Sequence, residues 1–287
     1  MKQRSHLLQM LHAKGIVLKK SLGQNFLSDP NVLEDIVRCA RVTSEDTVLE
    51  IGPGAGTLTS VLAEVAKGVW AVEIDARLIA LLEERFQGWT EVRIIHGDIL
   101  KLNLDELFTS MREQGAATSP IKIVANLPYY ITTPILFYFF ETYTHWQTMT
   151  IMVQKEVAER IVAEPGTKAY GHLTLARAAY ARAEMCRHVP REAFFPIPKV
   201  DSIVLHLTRY PTSPFADHLS TYQKLIRLAF HSRRKTLANN LRQAYPHQRA
   251  DWGAWLERLG YPRDVRGETL RAEDFYHLAQ VFDEEHD

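Results

Sequence analysis

Cysteine is nearly absent: Cys39 and Cys186 are the only two in 287 residues. Two thiols cannot build a disulfide framework or a thiolate metal site. They fit a reducing cytosol, so a cytoplasmic location is expected. Long apolar runs are lacking too. Nothing approaches the ~18 consecutive apolar residues of a membrane span. The most apolar stretch, Ile131 to Phe140, is broken by Thr132, Thr133 and Pro134. Lys2 and Arg4 are followed by His12, Lys14 and Gly15, which interrupt any apolar leader, so no signal peptide is expected. The twelve histidines show no ligand spacing, and no metal is expected. There is no repeat or low-complexity tract. With 46% hydrophobic and 24% charged residues, the chain is neither disordered, collagen-like nor a coiled coil. Also missing is an excess of either charge, since 34 Lys+Arg balance 34 Asp+Glu. As a total, that argues against a nucleic-acid partner.

The distribution reverses the argument. Residues 1–24 carry five basic side chains, Lys19 and Lys20 among them, and no acid. Residues 218–250 carry seven, including Arg233, Arg234 and Lys235, again with no acid. Residues 25–150 are acidic, with 17 acids against 9 bases, and 251–287 hold ten against four. Two acid-free basic segments are candidate phosphate-contact surfaces. The competing explanation for Arg233, Arg234 and Lys235 is ion pairing with the acidic segment after residue 250.

Strand-like runs and helical patterns alternate. Strands are expected at 47–51, 68–74, 92–96, 121–125, 148–153 and 202–208, with helices at 58–66, 76–86, near 134–142 and from Lys155. Residues 176–187 contain a strand-like segment of ambiguous period. Alternation of this kind predicts a mostly parallel sheet with helices on both faces. After Tyr210 the texture changes. Pro211 to Pro214 reads as a linker, and the remainder as helices punctuated by Pro246, Gly260, Pro262 and Gly267. The expected organisation is an α/β domain over 1–210, with a basic N-terminal extension, and a small all-α domain over 211–287.

The first strand ends in Glu50-Ile51-Gly52-Pro53-Gly54-Ala55-Gly56, and a helix follows. Glycines there allow a sharp turn and close approach of a ligand. Glu73 ends the second strand, at a spacing that suits acceptance from ribose hydroxyls. Asp98 ends the third and is placed to accept from an adenine amine. The spacing is G-x-G-x-G rather than the G-x-G-x-x-G of dinucleotide sites, whose pyrophosphate rests on a helix N-terminus. An acid immediately before the loop favours a ligand with an amino group and no phosphate, which points to S-adenosylmethionine.

Asn126-Leu127-Pro128-Tyr129 follows the fourth strand, where open α/β sheets bind ligands. An exocyclic base amine is a poor nucleophile because its lone pair is delocalised. An acceptor pair, the Asn126 side-chain oxygen with the Leu127 or Pro128 carbonyl, can fix its N–H groups. Rate then comes from positioning and electrostatics, without a strong base. Tyr129 offers a face on which an extruded base can stack.

With these motifs in view, the chain resembles the bacterial 16S rRNA adenine dimethyltransferases over nearly its whole length. Lys19 to Leu27 (KKSLGQNFL), Glu50 to Thr59 (EIGPGAGTLT), Val72 to Asp75 (VEID), Asn126 to Tyr130 (NLPYY), Phe194 to Ser202 (FFPIPKVDS) and His231 to Leu241 (HSRRKTLANNL) carry the resemblance. It implies a Rossmann-like class I methyltransferase domain with a helical C-terminal domain that contacts rRNA or the subunit. It implies S-adenosylmethionine on Asn25, Leu27, Gly52, Glu73, Asp98 and Asn126. The target adenine would lie against Tyr129 with Phe194 near its other side, though Phe195 beside it leaves open which ring meets the base. The implied substrate is a pair of adjacent adenosines in a hairpin loop near the 3′ end of 16S rRNA, each methylated twice on N6. The implied setting is an immature small ribosomal subunit in late biogenesis, with the enzyme expected to be a monomer. Tyr130 departs from the family, which often has Asn there, and Tyr170 to Leu175 (YGHLTL) departs from a more usual Leu-Ser-Val ending. Two other readings stand beside this one. One is a 23S rRNA adenine methyltransferase of the erythromycin-resistance type. The other is an assembly factor whose binding matters more than its chemistry.

Overall fold

The computed structural model describes residues 25–113, 121–143, 145–248 and 250–286. The basic N-terminal segment with Lys19 and Lys20 lies outside the described residues. The chain forms two compact units. One comprises residues up to 158 together with 184–209, the other 159–183 together with 210–287.

A short β1 (Phe26–Leu27) precedes β2 (Thr47–Ile51), β3 (Gly68–Glu73), β4 (Val92–His96), β5 (Ile121–Asn126), β6 (Trp146–Gln154), β7 (Ala181–Val189), β8 (Phe194–Phe195) and β9 (Ser202–Arg209), all in the first unit but for the first three residues of β7. Seven of these make one sheet in the order β4-β3-β2-β5-β6-β9-β7, while β1 pairs with β8. From β4 to β6 every neighbour is parallel, and β9 then runs antiparallel to β6. Parallel strands are covered on both faces and therefore read as unbroken apolar runs. All five residues of β2 are buried accordingly. The chain winds outward through β2, β3 and β4, then returns to lay β5 on the other side of β2. That reversal opens a crevice at the carboxyl ends of β2 and β5.

Helices α1 (Pro30–Ala40), α2 (Thr57–Ala63), α3 (Ala76–Arg85), α4 (Leu104–Glu113), α5 (Thr132–Phe137) and α6 (Lys155–Ile161) fill the connections. Helix α1 starts where Asp29 accepts from the Asn31 amide with Pro30 in the first turn, and it buries Val32, Leu33, Ile36 and Val37. The helix expected near 134–142 begins at Thr132 and widens into a π-turn over Tyr138–Thr142.

The second unit holds α7 (His172–Tyr180), α8 (Leu219–His231), α9 (Leu237–Ala244), α10 (Trp252–Arg258) and α11 (Ala272–His286). It therefore draws on 159–183, which the linker at 211–214 alone did not announce. Helix α7 supplies part of its core: Leu175, Ala176 and Ala179 are buried, and the Tyr222 hydroxyl donates to the Leu175 carbonyl at 2.8 Å. The ambiguous 176–187 segment is thus a helix up to Tyr180 and a strand from Ala181.

The expectation of two reduced cysteines is corrected. Cys39 in α1 and Cys186 in β7 lie 147 residues apart in sequence but 6.2 Å apart at Cα, and they are joined as a disulfide. That separation is within bridging range. The Arg41–Glu184 ion pair at 2.7 Å and the Arg187–Asp35 pair connect the same two elements. Among the described residues no helix is long and apolar enough to cross a membrane.

Candidate active site

The glycine loop leaves β2 with Gly52, Gly54 and Gly56 all at positive φ (71°, 59° and 79°). At two of them space is closed as well. A Cβ on Gly54 would stand 2.9 Å from the Phe26 ring, and one on Gly56 2.7 Å from the Phe86 ring. Only glycine meets both demands. From the last turn of α3, Arg85 donates to the Ala55 carbonyl at 2.6 Å and to the Ser60 hydroxyl at 2.9 Å. Ser60 in turn donates to the Gly56 carbonyl at 2.9 Å. The loop is thus braced from beneath by a half-buried cation that sequence spacing did not single out.

Two strand-end acids face the same cavity. Glu73 is almost fully buried, accepting from the Gly54 amide at 3.1 Å and the Asp75 amide at 2.8 Å. Burial raises its pKa against the pull of those amides. Its remaining lone-pair capacity is available to a ligand hydroxyl. Asp98 follows β4, accepts from the Leu100 amide at 3.1 Å and remains partly accessible. Glu50 behaves differently from the standing negative charge expected beside the loop. It is buried, and burial pushes its carboxyl up to about 8, with Glu73 adding to the rise and Thr59 and Arg85 opposing it. A carboxylate with no water around it holds its proton at neutral pH. Its Oε2 atom is buried with no hydrogen-bond partner in the protein.

On the other side of the crevice Asn126 ends β5. Its Nδ2 donates to the Asn25 carbonyl at 3.2 Å, which leaves Oδ1 as an acceptor. The Leu127 amide is held by the Met152 carbonyl at 3.3 Å. The Pro128 carbonyl already accepts from the Ile131 amide at 3.1 Å and the Thr132 hydroxyl at 3.2 Å. With both its lone pairs engaged, the Leu127 carbonyl is the better second acceptor of the two that the sequence left open. The half-buried Tyr129 shares a hydrogen bond with the Ser202 hydroxyl at 3.1 Å, and burial raises its pKa.

One cavity of about 1040 Å³, open mouth included, is lined by Asn25, Leu27, Gly52, Glu73 and Asp98 together with Asn126, Leu127, Pro128 and Tyr129. Phe194 is absent from that lining. It is 1% exposed, paired with Leu27 across the β1–β8 ladder, and belongs to the core, whereas Phe195 is partly exposed. The lining residues not singled out from sequence include Ile74, Ile99 and Tyr130. Ile74 and Ile99 each follow a strand-end acid, and Tyr130 is 54% exposed at the rim. An isoleucine after a strand-end carboxylate, exposed at Ile74 and buried at Ile99, offers an apolar wall to a ring whose polar edge the acid holds, and that pairing was the available signal. Buried Glu50 with its unpartnered oxygen, paired carboxylates and apolar walls fit a cationic donor carrying an adenosine better than an anionic dinucleotide.

In the helical unit Arg233 pairs with Glu268 at 2.8 Å and also donates to the Lys168 and Thr167 carbonyls. Arg234 and Lys235 are exposed and have no ion pair among the described residues. Ion pairing with the segment after residue 250 therefore explains Arg233 but not its two neighbours.

The model of the ribosomal RNA adenine dimethylase family matches residues 16–284. The ribosomal RNA small subunit methyltransferase A of Lachnoclostridium phytofermentans is 43% identical over 283 residues, 96% of each chain. Its namesake from Listeria monocytogenes is 43% identical over 277 residues, 94% of this chain and 92% of that one. Among solved structures, a dimethyladenosine transferase from Plasmodium falciparum superposes with a TM-score of 0.74 at 27% identity, covering 91% of this chain and 98% of that one. The 23S rRNA methyltransferase ErmE superposes with a TM-score of 0.66 at 28% identity, covering 90% of this chain and all of that one.

Proposed function

This chain belongs to the ribosomal RNA adenine dimethylase family, and from that premise we propose that it dimethylates N6 of two adjacent adenosines in small-subunit rRNA with S-adenosylmethionine. The observation that carries the proposal is the single cavity shared by the glycine loop, Glu73 and Asp98 on one side and Asn126 to Tyr129 on the other. The bound donor supplies an electrophilic methyl group on a sulfonium. Everything else is done by this chain. Glu73 accepts from ribose hydroxyls and Asp98 from the donor's adenine amine, with Ile74 and Ile99 against the ring. Asn25, Leu27 and Gly52 line the donor end.

The target adenine enters against the face of Tyr129. Its N6–H groups donate to Asn126 Oδ1 and to the Leu127 carbonyl, which aims the nitrogen lone pair into the cavity. No residue here is asked to act as a strong base, so acceleration rests on alignment and electrostatics. Burial of Phe194 gives that ring a supporting role beside Leu27 of β1, with Phe195 the more accessible of the two.

The curated relatives at 43% identity are small-subunit enzymes, while ErmE is 28% identical, which supports 16S over 23S rRNA as substrate. The reading carries with it a monomeric, cytoplasmic enzyme working on an immature small subunit. In it the helical unit, through Arg234 and Lys235, and the basic N-terminal segment, through Lys19 and Lys20, contact RNA phosphates. Mass spectrometry of rRNA after incubating undermethylated small and large subunits with labelled donor tests it. Dimethyladenosine at two adjacent small-subunit positions is expected, and label confined to 23S rRNA overturns it.

A further inference from the structure

We propose that Ser202 is a positioning residue for methyl transfer, its buried hydroxyl fixing the plane of the Tyr129 ring against which the target adenine stacks. The inference rests on the role given to Tyr129 above and adds a residue that neither the donor loop nor the Asn-Leu-Pro-Tyr box contains.

The geometry is over-determined at both ends of the ring. At the backbone end, Tyr129 sits in the turn closed by the Ile131 amide and the Thr132 hydroxyl on the Pro128 carbonyl. At the far end its hydroxyl meets Ser202 Oγ at 3.1 Å. A phenol ring anchored at Cα alone can swing about χ1 and χ2; anchored at Oη as well, it keeps one plane. A stacking surface contributes to rate only when its orientation holds within roughly 10–20° of the productive one.

Ser202 is itself held by its surroundings. It is fully buried and opens β9, in register with Gln154 of β6. The preceding Asp201 accepts from the Arg191 amide at 3.1 Å and contacts His188 Nε2 at 3.0 Å, and its carbonyl accepts from the Lys155 amide at 3.0 Å. Three elements therefore pin the residue before Ser202. The serine passes that rigidity to the hydroxyl end of the ring, which the turn at its backbone end does not reach. The end of the Phe194–Ser202 segment thus reaches the base site through the Tyr129 hydroxyl, while Phe194 itself belongs to the core. A serine with only a packing role would lose nothing specific on conversion to alanine beyond the cost of an orphaned hydroxyl.

The test is a double-mutant cycle on S202A, Y129F and the double variant, with Y129A alongside. Tritiated donor and undermethylated small subunits give kcat, calorimetry gives donor affinity, and thermal melting gives stability. Y129F keeps the ring, so the proposal stays testable if S202A folds poorly. S202A and Y129F should each lower kcat about tenfold with donor affinity unchanged, and the double variant should lose no more than the worse single. Full kcat in folded S202A, or losses that add in the double variant, overturns the proposal. Full methylation by Y129A would instead remove the stacking role of Tyr129 itself, whatever S202A does.

Discussion

The acids of the catalytic unit and the cations of the helical unit are both conspicuous in sequence, yet the structure treats them oppositely. Glu50 and Glu73 are buried, and Glu73 is held by backbone amides that also shape the loops around it. Arg234 and Lys235 are exposed and have no ion pair among the described residues, while Arg233 is engaged by Glu268 and two carbonyls. A buried charge can be matched to one ligand atom, because its position is dictated by the fold. An exposed charge contributes mainly through the summed field and is worth little pair by pair. Recognition of a small donor should therefore depend on single residues, and attraction of a polyanion on several together.

The sharpest break of that contrast comes from the crevice. N126A should lower methylation about a hundredfold to a thousandfold, since it removes the acceptor that fixes the reacting amine. The measurement is label transfer to undermethylated small subunits, with subunit binding retained. Activity within a few-fold of the parent would show that Asn126 is a turn residue only. Next, E73A should weaken donor binding about a hundredfold by calorimetry, because two charge-assisted hydrogen bonds to the ribose are lost and the Gly54 amide is released. A neutral outcome would hand the donor's sugar to another group.

The parallel strands β2 to β5 were legible because each is a largely apolar run that leads into a glycine, an acid or an asparagine. The site residues on their carboxyl ends were legible for the same reason. What escaped was whatever depends on long-range closure. Helix α1 hides its buried Val32, Leu33, Ile36 and Val37 among Glu34, Asp35 and Arg38, so its face is visible only as a spacing. Arg85 braces the glycine loop from 30 residues away, and Cys39 meets Cys186 across 147 residues of sequence. The burial of Phe194 follows from the β1–β8 ladder, two residues long and below what a pattern can reveal. In the same way 159–183 join the helical unit through buried side chains such as Leu175 and through the Leu175 carbonyl on Tyr222, which a composition break at 211–214 does not report.

A smaller effect tests the other half of the comparison. Exposed cations that contact phosphates release counterions, so the double change R234Q/K235Q should flatten the salt dependence of subunit binding by about one to two units of log–log slope. R233Q should leave that slope unchanged and lower the melting temperature, because it breaks a brace rather than a phosphate contact. Equal slopes for parent and R234Q/K235Q would assign all three cations to the fold.

The smallest effect concerns Glu50 and requires no substrate. Its carboxyl is raised from an ordinary 4.5 to about 8 in the folded chain. The folded state therefore binds this proton more tightly than the unfolded chain does. The resulting stability is fully present below about pH 4.5 and is lost as pH rises through about 8. E50Q mimics the protonated acid and does not titrate. Its melting temperature relative to the parent should climb by several degrees between about pH 5 and about pH 9, measured by scanning calorimetry without donor. Glu73, also raised by burial, and Asp46, lowered by its Lys122 partner against a burial effect of opposite sign, remain in both proteins and largely cancel from the difference. Parallel curves would mean that Glu50 is ionised in the folded chain. The field of Arg85 would then outweigh the loss of water, and the glycine loop would rest on an ion pair rather than on a neutral acid.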